Sequence, residues 1–192
     1  MIKAIPLSVK FKHSDEYSMY FCSFTCFEWI PLFNITQGYD LVYKWFRILK
    51  DKNIVVLAYV IMPNHLHFIL YFSKPGFRLN SIISNAKRFM AYEVVRRLKA
   101  AGELILLQHL HAALSAREIK KGQCHRVFEE SFDAKPIFTH KFLDQKILYI
   151  HLNPVRGKWN LAKHFTEYEH SSASYYELNE IKHFEPVHYR EL

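Results

Sequence analysis

The chain has 192 residues, half of them hydrophobic and 16% aromatic, with a formal net charge of +8. That supply of apolar side chains excludes wholesale disorder and suits a single domain spanning residues 1–192. The lysine and arginine surplus points to a polyanionic partner, nucleic acid above all, although charge also serves solubility.

The opening residues, MIKAIPLSVKFKHSDE, lack the apolar run of a secretion signal, and no stretch approaches the roughly 20 apolar residues of a membrane span. A cytoplasmic location is the expectation. Cys22, Cys26 and Cys124 form an odd set without paired CxxC knuckles, so buried free thiols are expected rather than a zinc site.

Residues 17–27 are rich in aromatic and β-tolerant side chains and read as a first strand. Pro31 and Gly38 bracket a loop, and residues 39–49 then carry Leu41, Val42, Trp45, Ile48 and Leu49 at helical spacing. Residues 54–62 are an almost unbroken apolar run, a buried strand. Pro63-Asn64 supplies a turn, and residues 65–72 return as a third strand to make a hairpin. Residues 81–99 form an amphipathic helix with Lys87, Arg88, Arg96 and Arg97 on its basic side. A further helix is expected over 102–122 and a short strand over 127–132. Thr139 is an N-cap candidate for a helix that runs to residue 152 and stops at Asn153-Pro154. The tail after Trp159 is polar and aromatic, with His170-Ser171-Ser172 expected in a loop. The order of elements predicts an α+β fold with one antiparallel sheet covered by helices.

His65-Leu66-His67 lies on the third strand, where alternation sends both imidazoles to one face. Two imidazoles on a rigid strand are placed to share one metal ion, although an exposed pair without a ligand has the same pattern. A second such pair, His109-Leu110-His111, falls in a helical segment, where residues two apart diverge by about 200°. That pair is expected to be incidental. On the helix before Asn153-Pro154, Gln145, Tyr149 and Asn153 share a face at i, i+4 spacing. Taken alone, Tyr149 fits plain core and Asn153 fits a helix stop.

Together these segments resemble the single-tyrosine HUH transposases. The likeness rests on Tyr-Val-Ile-Met-Pro-Asn-His-Leu-His (59–67) and Tyr-Ile-His-Leu-Asn-Pro-Val-Arg-Gly (149–157), and is closest to their REP-associated branch. Tyr20-Phe-Cys-Ser-Phe-Thr25, Asn85-Ala-Lys-Arg-Phe89, Phe132-Asp-Ala-Lys135 and His170-Ser-Ser-Ala173 agree with it, so that it covers a core of about residues 17–176.

The resemblance implies an RRM-like (ferredoxin-like) antiparallel sheet with packed helices. It makes His65, His67 and Asn153 ligands of a divalent metal, Mg2+ or Mn2+, and Tyr149 the catalytic nucleophile. The activity implied is a metal-dependent single-stranded DNA nuclease and strand-transferase that cuts next to DNA hairpins through a 5′-phosphotyrosine, working as monomer or homodimer. Lys87, Arg88, Arg96, Arg97, Arg156 and Lys158 become candidate DNA contacts, each of which also fits a solvated surface. The rival from another class is a non-catalytic single-stranded nucleic-acid-binding protein on the same fold. A histidine-triad hydrolase would want a third histidine where Ile69 stands, and a barrel hydrolase needs roughly 250 residues.

Overall fold

The structure, a computed structural model, describes residues 18–192. Tyr17, the first residue of the expected opening strand and core, lies outside them. The elements are β1 (Met19–Thr25), α1 (Leu32–Ile35), α2 (Tyr39–Asp51), β2 (Ile54–Ile61), β3 (His65–Phe72), α3 (Leu79–Ala100), α4 (Leu104–Ala112), α5 (Ala116–Lys120), β4 (Asp133–Pro136), α6 (His140–Leu152) and α7 (Ala173–Leu178). The four strands make one antiparallel sheet in the order β2-β3-β1-β4. With helices between β1 and β2 and between β3 and β4, this is the α+β, ferredoxin-like arrangement expected.

Strand alternation divides the core in two. On one face Tyr20, Cys22 and Phe24 of β1 and Leu66, Phe68 and Leu70 of β3 pack against α2 and α3. On the other, Phe21 and Ile69 pack against Leu143, Ile147 and Ile150 of α6. A bulge between Val56 and Ala58 in β2 shifts the register, and the bulged Leu57 carbonyl accepts from the Tyr176 hydroxyl at 3.0 Å.

Several expectations are corrected. The segment 102–122 is two helices, because Ser115 starts α5 with a capping box to Glu118. The last strand is Asp133–Pro136; Phe128 makes only an isolated bridge to Cys26. Pro136 is tolerated because β4 is an edge strand. Cys22 and Cys26 are buried free thiols, whereas Cys124 is exposed.

The tail is structured. Ile61 N donates to His170 O at 2.8 Å and Ser172 N to Tyr59 O at 3.0 Å, closing the outer edge of β2 before α7 begins. Among the described residues, no helix is long and apolar enough to cross a membrane.

Candidate active site

His65 and His67 project from β3, the strand flanked by β2 and β1, on the face that α6 covers. Both are buried, with ring centroids 4.8 Å apart. His65 Nδ1 lies 2.7 Å from Asn64 Oδ1. An amide oxygen can only accept, so His65 carries its proton on Nδ1 and leaves Nε2 as a lone pair. Burial lowers the His65 pKa to about 4, opposed by the Asn153 side chain. Burial, then the charges of His65 and Lys146, lowers that of His67 to about 3. Both rings are therefore neutral at neutral pH, the form that ligates metals.

The helix α6 brings up the rest. Thr139 Oγ1 accepts from Phe142 N at 3.2 Å, fixing its first turn. Asn153 keeps helical backbone angles (φ −55, ψ −43) as the chain tightens into a 3-10 turn with Pro154, so Tyr149 and Asn153 remain on one face. His151 faces inward instead, 3.0 Å from Ser172 Oγ, which also accepts from Tyr59 N at 3.0 Å. The Ser172 hydroxyl thus ties α6 to the edge of the sheet.

The Tyr149 hydroxyl lies 3.4 Å from His67 Nε2, and its ring stands edge-on to His67 and Phe21 at 5.1 and 5.9 Å. Tyr149 is 41% exposed, so its side chain is reachable from solvent. Among the described residues, no three His, Cys, Asp or Glu side chains gather to hold a metal. The donor set fits a divalent ion only with an amide oxygen. Asn153 Oδ1 and His67 Nδ1 are both buried without a hydrogen-bond partner. Orphaned polar atoms of this kind are costly unless something compensates them, and a cation held by the imidazoles and the amide oxygen would do so.

Two tryptophans flank His65, Trp29 at 5.5 Å and Trp159 at 6.1 Å between ring centroids. Trp29 is 57% exposed although its backbone, with that of Glu28, is left-handed at φ 60 and 49. Its carbonyl accepts from Asn64 Nδ2 at 2.7 Å. One asparagine therefore holds both the strained turn and the His65 ring. Sequence reasoning passed over Trp29 and the double role of Asn64; only the Pro63-Asn64 turn signal touched them.

The expected DNA contacts separate. The α3 helix buries Ile83, Ala86, Met90, Val94 and Leu98 on the sheet face opposite the histidines, which carries its basic residues away from the site. Lys87 Nζ is spent on the carbonyls of Glu129, Glu130 and Ser131, and Arg97 on Asp40 and Glu93. Arg96 pairs with Glu93, and Arg88 lies over the Phe89 ring at 5.0 Å. Arg156 and Lys158, both exposed, directly follow the turn that holds Asn153. The second histidine pair diverges: His109 meets Glu28 at 2.8 Å and His111 the Cys124 carbonyl at 2.8 Å.

No family model and no curated protein matches the chain. Among solved structures it is similar to that of a REP-associated tyrosine transposase bound to a REP hairpin, with a TM-score of 0.54 and 13% identity over 95% of this chain and 93% of that one. It is also similar to that of a candidate transposase from Deinococcus radiodurans R1, with a TM-score of 0.40 and 12% identity over 74% of this chain and 93% of that one. The first likeness establishes a shared fold.

Proposed function

We propose that the chain is a metal-dependent, single-tyrosine HUH-type transposase that cuts single-stranded DNA beside a hairpin and rejoins it through a 5′-phosphotyrosine. The observation that carries this reading is the Tyr149 hydroxyl, 3.4 Å from His67 Nε2, on the same helix face as Asn153. The shared fold with a transposase that binds a REP hairpin supports it.

A divalent ion, Mg2+ or Mn2+, held by His65, His67 and Asn153 would polarise the scissile phosphate and stabilise the departing 3′-oxygen. The chain's own residues do the rest. Asn64 fixes the His65 tautomer and ring orientation. The Tyr149 oxygen attacks phosphorus in line, its proton leaving to the solvent that reaches the exposed phenol. The Oη–P bond forms as the P–O3′ bond breaks, and the released 3′-oxygen takes up a proton from water. The phosphotyrosine conserves the ester bond, so a 3′-hydroxyl attacking phosphorus reverses the step and joins strands without ATP. Arg156 and Lys158 supply phosphate contacts beside Asn153.

The test is incubation with single-stranded hairpin DNA from the gene's own flanks, with and without Mn2+, followed by a denaturing gel. Metal-dependent cleavage by the wild type and none by Tyr149→Phe is expected. Binding without cleavage by the wild type would replace this reading with that of a non-catalytic binding protein.

A further inference from the structure

Lys135 and Lys146 stand on the face of the sheet that Tyr149 covers, and among the described residues neither is paired with a carboxylate. In the β1–β4 ladder Lys135 stands directly opposite Phe21, so both side chains leave the sheet on the same face. That face is the histidine face, since the Phe21 ring stacks on His67 at 5.5 Å. Lys146 arrives from α6, one turn before Tyr149. Its ammonium lies 4.7 Å from the Phe21 ring centre, 5.2 Å from Phe142 and 5.4 Å from Tyr149.

Three ring faces hold this ammonium in place, so little of its rotamer freedom remains to be lost on binding. Lys135 is exposed, and its charge is close enough to lower the Lys146 pKa further after burial has done so. Among the described residues neither lysine makes an ion pair or hydrogen bond, whereas Arg96, Arg97 and Arg126 are all matched by carboxylates. Packing alone accounts for a lysine on aromatic rings. It does not account for a second, unmatched lysine that leaves the same face of the sheet directly opposite Phe21.

We propose that Lys135 and Lys146 form a clamp for one backbone phosphate of the single strand, flanking the phosphate that Tyr149 attacks. A phosphodiester monoanion suits two point-charge donors, because lysine needs no fixed angle and each ammonium has free N–H groups. The clamp would set the register of the strand, as phosphate contacts position a nucleic acid without reading its bases. It gives a role to the Phe132-Asp-Ala-Lys135 segment, which the metal and tyrosine chemistry leaves unused.

This inference rests on the single-stranded DNA reading of the site, and its test separates the two. Binding of a hairpin with a single-stranded tail is measured against salt for wild type, Lys135→Gln, Lys146→Gln, the double variant and Lys146→Arg. The double Gln variant is expected to reduce the log–log slope by about 0.7, the share of the one phosphate held, each single Gln change by a part of that, and the Arg change to keep it. A series of DNAs, each with one neutral methylphosphonate near the cut, should contain one position whose substitution weakens wild type but no longer affects the double variant. Unchanged slopes, or no such position, in a protein whose wild type binds and cleaves would overturn the clamp alone. Loss of melting temperature in Lys146→Gln with an unchanged slope would assign that lysine to packing, also overturning it. A wild type with no salt-dependent affinity for the tail would remove the DNA reading and the clamp together.

Discussion

Asn64 Oδ1 accepts from His65 Nδ1 at 2.7 Å, while the same side chain donates from Nδ2 to the Trp29 carbonyl at 2.7 Å. Removing that amide leaves a buried ring N–H and a carbonyl unpaired at once. Asn64→Ala should cost about 1–3 kcal/mol of stability, read from urea unfolding. Mn2+ affinity should fall about 10–100-fold, because the orientation of His65 is lost. Titration calorimetry checks the second effect, and equal affinity would show that Asn64 serves only the turn.

Tyr149→Phe removes one oxygen from a partly exposed ring whose aromatic contacts remain. Stability should change by less than about 0.5 kcal/mol and DNA binding should persist, while cleavage disappears. In the wild type, mass spectrometry of digested reaction mixtures should find a nucleotide-bearing peptide containing Tyr149. An adduct on another tyrosine would refute the assignment and leave the histidine pair standing.

Metal should stabilise the folded chain through His65 and His67. At an Mn2+ concentration 100 times its Kd, the gain is about 2.7 kcal/mol, visible as a raised melting temperature that a chelator reverses. His67→Ala should lose that gain. An equal rise in both proteins would place the ion elsewhere.

Acid should destabilise the fold before its carboxylates titrate. Burial holds His65, His151 and His170 down at about 4 and His67 at about 3, against an ordinary histidine value of 6.5. A depressed folded-state pKa means that the unfolded chain binds more protons. The stability these groups contribute is therefore complete above pH 6.5 and lost as pH falls through about 4, and for His67 through about 3. The slope has a ceiling of about 1.4 kcal/mol per pH unit for each histidine. Urea midpoints between pH 7 and 5 should drop, and a flat profile would contradict the burial of these rings. His151→Gln should flatten part of the slope.

Basic residues on opposite sides of the sheet should behave differently with DNA. Arg156→Gln and Lys158→Gln should each reduce the salt slope by about 0.7, while Arg88→Gln and Arg96→Gln should leave it unchanged. The reverse pattern would mean that the strand runs over α3.

Much of this was legible from local pattern. The bounds of the third strand, His65–Phe72, follow from period-two alternation and a Pro-Asn turn, both local signals. The helix after Thr139 was legible through its cap and its proline stop. What escaped depends on contacts distant in sequence. The four residues of β4 have little strand character of their own and are held by pairing with β1. The six residues of α7 follow a tail that is ordered by bonds to Tyr59 and Ile61. The Lys87 charge looked free because the three carbonyls that consume it come from a later loop. The basic helix was visible, but not which side of the sheet it covers.

The meeting of Tyr149 with His67 across α6 and β3 takes place within one polypeptide. Under the proposed mechanism the nucleophile is tethered to its own histidine pair and cannot be diluted away from it. At saturating DNA, the cleavage rate per molecule should stay constant however far the protein is diluted. Mixing a Tyr149→Phe chain with a His67→Ala chain should restore no activity, because neither carries a complete set, and restored cleavage would show that one chain supplies the tyrosine to another's histidines.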